Sequence, residues 1–406
     1  MRVLFAVSSW PTHYASMVPL GWALQAAGHE VRVLCAPSQS EPVGRAGLMP
    51  VPVLGGKDVA LYNRLQYYWE AVHGQWPYPW LPLHPVTAQP LDRLDDFDVR
   101  AYRAEVEPEL GRRARQGADA AVAFARRWEP DLVLHDPACL EGRLVAKLLE
   151  VPSALSLWGP VGTHEAEHMR IVPADTAGLF PAYGLAEFEP DQIEHVIDPC
   201  PAALAPPTAA RRLPVRFVPY NGCAPIPDWL LEPPERPRIC VTWSTALTTM
   251  SGSRAALLPE LVRALSGADT ELVVLGTEAD TDAIGANDNS VRVLPRFPLR
   301  LILPTCAAVV HHGGGGSTMT ALAAGLPQLT ITFAAEQAAN GDRVAAAGAG
   351  LHLPGWRADR SMVREYVAEL MSVRSYQDSA AALRAEMDGR PSPAELVGDL
   401  EKLASR

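Results

Sequence analysis

The stretch AAVVHHGGGGSTMTALAAGLPQLTI, residues 307–331, sets two histidines and four glycines between an apolar run and a helix-like run. Residues 307–312 are typical of a buried strand, and 317–324 are typical of a helix that ends at the Gly-Leu-Pro of 325–327. We therefore predict that 313–316 form a strand-to-helix turn at the carboxyl edge of a parallel sheet. Four glycines there let backbone amides approach a ligand closely, because no Cβ atom stands in the way.

The chemistry of this turn favours a diphosphate as the ligand. The start of a helix leaves backbone N–H groups unpaired and carries about half a positive charge, which suits phosphate oxygens. Ser317 and Thr318 can cap the helix or donate to phosphate, and His312 adds a further donor. A turn with a purely structural role remains the alternative interpretation.

Two common kinds of nucleotide site are disfavoured. The stretch lacks the lysine of a Walker A loop, which argues against ATP or GTP hydrolysis. No GxGxxG follows the first strand, residues 2–7, which argues against a nicotinamide or flavin cofactor.

The rest of the chain is organised as two α/β halves. Residues 2–36 alternate strand, helix and strand, and 130–159 repeat the pattern, which indicates a parallel sheet with helices on its faces. The pattern restarts at 238 and continues to 333. Between the halves, 218–238 contains six prolines, which cannot continue a helix or a central strand, so this segment is a linker. We predict two doubly wound, Rossmann-like domains of the α/β class that face each other across a cleft.

Composition and charge exclude several classes of protein. The formal net charge of the 406 residues is −11 and no basic run stands out, which argues against a nucleic-acid partner. No segment has the layout of a signal peptide, and no apolar stretch is long enough for a membrane helix. The six cysteines form no CxxC pair and are expected to be buried and reduced. We expect a cytoplasmic protein without a membrane partner.

An aromatic segment, 62–84, interrupts the first half. It holds seven of the twenty tyrosine and tryptophan residues of the chain. Its proline and glycine content predicts a loop or a broken helix. Two interpretations are open: an insertion that packs a small core of its own, or an apolar wall for a bulky, poorly soluble ligand. The candidate wall residues are Tyr67, Trp69, Trp76 and Trp80.

The glycine stretch belongs to a longer pattern that resembles a known family. HHGGGGSTMTALAAGLPQL, followed by Glu336 and Gln337, is similar to the nucleotide-sugar signature of GT-B glycosyltransferases of family 1. The segments PTHYASMVPLGWALQAAGHEVRV, DPCPAAL, VPYNG and LPTCAAVVHHGG resemble the antibiotic and macrolide branch, and the likeness covers nearly the whole chain. It implies a GT-B fold with an acceptor domain at 1–218, a proline-rich linker at 219–237 and a nucleotide-sugar domain at 238–390. The last helix, about 391–406, would pack back on the first domain.

The resemblance also implies which residues hold the donor. Many relatives carry an aromatic ring where Arg296 stands, although a guanidinium can also stack on a base. The implied contacts are His312, Gly315, Gly316, Ser317, Thr318 and Ser244 for the diphosphate, Arg296, Phe297 and Trp243 for the nucleobase, and Glu336 and Gln337 for the sugar.

His13 is the candidate catalytic base. A hydroxyl acceptor needs a base as it attacks the anomeric carbon, and His13 follows the first strand at the cleft edge, where the family places its base. Many relatives read GHxxP there, whereas this chain reads THYASMVP, a spacing that the macrolide branch shares. Asp136, at the end of PDLVLHD, matches the family's partner carboxylate that orients the imidazole. A surface histidine and a simple Asp-Pro turn are the competing interpretations.

The implied activity is an inverting transfer of a deoxysugar, TDP-linked by resemblance, to a hydroxyl group of a polyketide- or macrolide-type natural product. It needs no cofactor and no metal ion, since the helix start and His312 would neutralise the departing diphosphate. Trp158, in the LWGP strand end, would border the acceptor pocket. A C-glycosyltransferase on an aromatic polyketide, a nucleotide-sugar epimerase and a non-catalytic helper subunit are the alternatives. A homodimer and an activator protein stay open as partners.

The segment HEAEH, 164–168, also fits the HExxH pattern of zinc proteases. That pattern binds zinc only on a regular helix with both histidines on one face. Pro160 and two glycines directly upstream favour a loop instead, so a zinc hydrolase is disfavoured.

Overall fold

The computed structural model describes the chain except for residues 56–57, 167–168, 244, 253–256, 268, 278–283, 285–289 and 406. Its first half forms a seven-stranded sheet in the order β3-β2-β1-β4-β5-β6-β7, in which every pair of neighbours is parallel. The strands are Arg2–Ala6 (β1), Glu30–Leu34 (β2), Met49–Val51 (β3), Leu132–His135 (β4), Ser153–Ser156 (β5), His195–Asp198 (β6) and Arg211–Pro214 (β7).

The second half forms a parallel sheet of its own, in the order β10-β9-β8-β11-β12-β13. Its strands are Arg238–Thr242 (β8), Glu271–Gly276 (β9), Val291–Pro295 (β10), Ala308–His311 (β11), Gln328–Thr332 (β12) and Gly350–Pro354 (β13).

Helices connect the strands in both halves. The α-helices described are Val18–Ala26, Ser40–Arg45, Val59–Val72, Val99–Ala101, Glu107–Trp128, Leu140–Leu149, Leu179–Ala182, Thr245–Ser251, Leu258–Leu265, Leu299–Ile302, Gly315–Ala324, Ala335–Ala346, Arg360–Ser372, Arg374–Asp388 and Pro393–Ala404. A π-helical turn, Tyr102–Val106, makes the helix before Glu107 continuous with the long helix that follows. Within the described residues, no helix combines the length and the apolar character that crossing a bilayer requires.

Both sheets are covered on both faces. In β1, Val3 and Phe5 pack in one core with the helix Val18–Ala26, whereas Leu4 packs in a second core with Glu107–Trp128. Successive side chains of a strand point to opposite faces, so two separate cores mean that helices lie on either side of the sheet. The second sheet shows the same alternation between Val241 and its neighbour Cys240. The predicted pair of doubly wound α/β domains is confirmed.

The end of the chain returns to the first sheet. Leu396 and Leu400 of the helix Pro393–Ala404 are buried in the same core as Val3 and the helix Val18–Ala26. The strands of the two sheets lie on either side of the linker 219–237, and the domain limits 1–218 and 238–390 stay a prediction.

The aromatic segment divides its side chains between two cores. It is helical over Val59–Val72 and irregular afterwards, as the broken-helix alternative predicted. Tyr68 and Trp69 pack with Phe97 in a small cluster of the segment's own. Tyr67, in contrast, is buried in the main core of the second sheet, so the segment joins the two domains.

Candidate active site

The predicted catalytic pair meets at the carboxyl edge of the first sheet. His13 opens a short 3-10 helix after β1, and Asp136 directly follows β4, the neighbour of β1. The distance from His13 Nδ1 to Asp136 Oδ2 is 3.8 Å, too long for a hydrogen bond. Ser8 lies between them: its hydroxyl is 2.7 Å from His13 Nδ1, and its backbone N–H donates to Asp136 Oδ2 over 2.7 Å. The two residues are therefore brought together, but Ser8 connects them.

Burial sets the charge of this pair. Desolvation lowers the pKa of His13 to about 3 and raises the pKa of Asp136 to about 6. Hydrogen bonds from Ser8 and from the backbone N–H of Ala138, 2.8 Å from Asp136 Oδ1, oppose the rise at the carboxylate. At pH 7 the pair consists of a neutral imidazole and an ionised carboxylate, the state in which a histidine can act as a base.

Trp158 covers the candidate base and reaches into the second domain. Its ring stacks on His13 with 3.9 Å between ring centroids and 15° between planes. Its indole N–H donates to Glu336 Oε1 over 3.0 Å, and burial raises the pKa of that carboxyl. One side chain thus connects the base with the residue expected to bind the sugar.

The glycine stretch forms the predicted turn, although the helix starts earlier than expected. The strand β11 ends at His311, and the helix runs over Gly315–Ala324, so two glycines belong to its first turn. No side chain caps this helix, which leaves its first backbone N–H groups available to a ligand. In the described part of the chain, two buried atoms beside it also lack partners, His312 Nδ1 and Thr318 Oγ1.

Buried polar residues hold the turn in place. Gly313 has a φ of 81°, and its carbonyl accepts from Asn340 Nδ2 over 2.9 Å. Its N–H donates to His311 Nδ1 over 3.0 Å, while His311 Nε2 pairs with Gln328 over 2.8 Å. Sequence reasoning missed Asn340 and Gln328, because their contacts depend on how two later elements pack on the turn.

The two domains touch directly at this turn. A Cβ atom on Gly159 would lie 2.8 Å from Gly315 Cα, a closer approach than side chains make. Arg343 of the helix Ala335–Ala346 bonds the carbonyl of Pro160 and forms an ion pair with Glu165 over 2.9 Å. The two domains are therefore in direct contact beside the start of the helix Gly315–Ala324.

The remaining donor residues occupy different environments. Trp243 is buried, and its ring lies 6.3 Å from that of His312. Phe297 is also buried, in a core below β9, whereas Arg296 is exposed with a left-handed backbone, φ 52°. Gln337 uses its Oε1 to accept from the N–H of Phe333 over 2.9 Å. Ser244 lies outside the described residues.

The candidate acceptor wall is only partly assembled at the cleft. Trp76 and Trp80 line a cavity together with Met250 and Phe333 of the second domain. Trp69 lies apart from this cavity lining, edge-on against Tyr68.

The described part of the HEAEH segment, residues 164–166, is not helical. His164 lies in a turn and Glu165 in irregular chain, and the second histidine falls outside the described residues. His164 Nε2 pairs with Asp191 over 2.6 Å. Among the residues that the structure describes, no group of histidine, cysteine and acidic side chains is arranged to hold a metal ion.

Four neutral histidines should make the fold sensitive to acid. Burial lowers the pKa of His13 and His312 to about 3, and that of His135 and His311 to about 4. A lowered histidine pKa stabilises the fold above pH 6.5, and this stability is lost as the pH falls towards the folded pKa, because the unfolded chain takes up the protons. We expect the free energy of unfolding to fall between pH 7 and pH 5.

Carboxyl groups limit the size of this effect. Asp136, Glu70 and Glu336 have raised pKa values and bind protons in the folded state, which works in the opposite direction. The net fall should still reach about 1.4 kcal/mol per pH unit, the value for one proton. Denaturant unfolding at pH 8, 7, 6 and 5 measures it, and a stability that stays flat over this range would contradict the burial of neutral imidazoles.

Comparison with known proteins identifies the family. The N-terminal domain described as erythromycin biosynthesis protein CIII-like matches residues 96–244, and the C-terminal domain of that description matches 259–403. The chain belongs to the CIII-like glycosyltransferases. This CIII-like enzyme therefore has the predicted GT-B fold and the predicted glycosyltransferase activity.

Relatives and solved structures agree along the whole chain. Tylactone mycaminosyltransferase from Streptomyces fradiae is 33% identical over 437 residues, which cover 100% of this chain and 93% of the relative. Aklavinone 7-beta-L-rhodosaminyltransferase from Streptomyces galilaeus is 32% identical and is covered over 96% of its length, with 100% of this chain. The spinosyn rhamnosyltransferase structure has a TM-score of 0.77 and 26% identity, with 99% of this chain and 100% of that one covered. That protein has also been solved with thymidine diphosphate and with spinosyn aglycone.

Proposed function

We propose that this CIII-like enzyme transfers a deoxysugar from a TDP-sugar to a hydroxyl group of a polyketide-type natural product, with inversion at the anomeric carbon. The observation that carries the proposal is the uncapped start of the helix Gly315–Ala324, together with two buried atoms there that lack hydrogen-bond partners within the described chain, His312 Nδ1 and Thr318 Oγ1. Donors without partners in the described protein are available to the oxygens of a diphosphate. Thymidine diphosphate bound to the spinosyn rhamnosyltransferase supports the nucleotide, and the acceptors in the relatives' names support the acceptor class.

In the proposed reaction, His13 is the general base. The acceptor oxygen bonds to the anomeric carbon while His13 Nε2 takes the hydroxyl proton, and the buried carboxylate of Asp136 stabilises the imidazolium. The bond from the anomeric carbon to the diphosphate breaks, and its electron pair leaves with the diphosphate. Attack from the face opposite this leaving group inverts the configuration.

In the proposed reaction, the start of the helix Gly315–Ala324 stabilises the negative charge of the departing diphosphate. Its free N–H groups and the neutral ring of His312 donate to the diphosphate oxygens, so the proposal needs neither a metal ion nor an organic cofactor. Beside it, Glu336 and the amide NH2 of Gln337 are available to sugar hydroxyls, because Phe333 engages only the carbonyl oxygen of Gln337.

Nucleotide-dependent thermal stabilisation tests the donor. TDP and UDP should raise the unfolding temperature more than ADP does at equal concentration, since a ligand at about 100 times its Kd adds about 2.7 kcal/mol of stability. Inorganic pyrophosphate is the control for the contribution of the nucleobase. If TDP and UDP stabilise no better than ADP, the assigned donor is wrong.

A further inference from the structure

The relation between His13, Ser8 and Asp136 leaves one catalytic requirement unassigned. A neutral imidazole can take a proton at Nε2 only when its other nitrogen, Nδ1, carries the hydrogen. A carboxylate in direct contact with Nδ1 would fix that state, but Asp136 Oδ2 is 3.8 Å away. The group that contacts Nδ1 is the hydroxyl of Ser8, at 2.7 Å.

We propose that Ser8 is a positioning residue that holds the hydrogen of His13 on Nδ1 and so keeps Nε2 free as the base. The inference rests on the proposed function of His13 and adds a residue to that site. In this arrangement the Ser8 oxygen accepts from Nδ1–H, and the Ser8 hydrogen is directed to the carboxylate of Asp136.

The surroundings of Ser8 fix the direction of these hydrogen bonds. Asp136 is buried completely and ionised at neutral pH, so it can only accept. It already receives the backbone N–H groups of Ser8 and Ala138, and the Ser8 side chain contributes a further hydrogen bond that lowers its pKa. A hydroxyl that donates to this carboxylate has only lone pairs left for His13, and lone pairs require a hydrogen on Nδ1.

The other ring nitrogen is unengaged. Among the described residues, His13 Nε2 has no hydrogen-bond partner, and the side chain keeps 14% of its surface exposed beside Trp158. Ser8 follows β1 and Asp136 follows its neighbour β4, so the pairing of these strands sets the spacing of Ser8 and Asp136, while the 3-10 helix after β1 places His13. Ser8 is only 6% exposed, which keeps water from replacing its hydroxyl.

When the acceptor proton arrives at Nε2, no proton needs to leave Nδ1. The imidazolium continues to donate its Nδ1–H to the Ser8 oxygen, and the Ser8 hydroxyl continues to donate to the carboxylate of Asp136. The negative charge of Asp136 stabilises the imidazolium through this hydroxyl, and the proton returns to solvent from Nε2 after the product leaves.

The test compares Ser8→Ala, Ser8→Thr and a matched control, Ser16→Ala. Ser16 also bonds His13, but its hydroxyl donates to the backbone carbonyl over 3.0 Å and does not touch the ring. Nitrogen-15 NMR of histidine-labelled full-length protein reports the tautomer of His13 without any substrate, and the signal is assigned with His13→Gln. Steady-state kinetics with a TDP-deoxysugar and a polyketide aglycone give kcat and the KM for the donor.

We expect the wild type, Ser8→Thr and Ser16→Ala to show the Nδ1–H tautomer, and Ser8→Ala to lose it in part or completely. The kcat of Ser8→Ala should fall about 10- to 100-fold, while the donor KM stays within about twofold, and Ser8→Thr should recover most of the rate. A wild-type tautomer in Ser8→Ala, or an Nε2–H tautomer in the wild type, would overturn the proposal. A wild type that transfers no sugar would count against the proposed function instead, and the NMR result would still decide the role of Ser8.

Discussion

His13→Ala is expected to lose sugar transfer and to keep nucleotide binding. The substitution removes the imidazole proposed to take the acceptor proton beside Asp136, while the start of the helix Gly315–Ala324 stays intact. General base catalysis contributes about 100- to 10,000-fold, so kcat should fall by a factor in this range. Rates with a TDP-deoxysugar and an aglycone measure the first effect, and TDP titration by calorimetry measures the second.

The half-buried His164 offers a control for this experiment. It pairs with Asp191 at the surface, so His164→Ala should leave both transfer and TDP affinity close to those of the wild type. Unchanged turnover in His13→Ala would remove His13 as the base. Loss of TDP binding in the same variant would show that the imidazole supports the donor site rather than the chemistry.

Two glycine substitutions in the turn should distinguish effects on the stability of the fold from effects on TDP binding. In Gly313→Ala, the new Cβ would sit 2.9 Å from the carbonyl oxygen of Gln337 on a backbone with φ 81°. We expect a loss of about 1–3 kcal/mol of stability and at least a tenfold loss of TDP affinity, because the turn must shift. In Gly316→Ala, the Cβ meets nothing within 4 Å, so the fold should stay as stable or gain up to about 1 kcal/mol.

Binding by Gly316→Ala is the informative measurement. If the diphosphate lies on the amides of this turn, a methyl group there should weaken TDP binding more than tenfold without harming the fold. Gly398→Ala is the matched control, since it also places a Cβ in open space on a helix, Pro393–Ala404, away from the turn. Wild-type TDP affinity in Gly316→Ala would mean that the ligand binds elsewhere.

The sequence predicted the features that depend on local patterns. Apolar runs and the glycine stretch predicted the strand β11, the turn and the helix after it, because each is decided by neighbours in the chain. The helix starts at Gly315 rather than at Ser317. The sequence indicated Ser317 as a capping residue, but the N-cap position is occupied by Gly314, which has no side chain to cap the helix. Both parallel sheets followed from the alternation of strands and helices.

Features that depend on distant contacts could not be predicted in this way. Ser8 bonds to residue 136 only because β1 and β4 are neighbours in the sheet. The stacking of Trp158 on His13 requires a loop to fold back over the edge of the same sheet. The burial of the Phe297 ring in a core likewise depends on tertiary packing, and its role at the nucleobase, which the family segment implies, stays a prediction.

The position of Trp158 ties the surroundings of two candidate site residues to one side chain. Its indole stacks on the imidazole of His13 in the first domain and bonds to one oxygen of Glu336 in the second. Any movement of this ring therefore changes the environment of both groups together, and so does any change in the distance between the two domains.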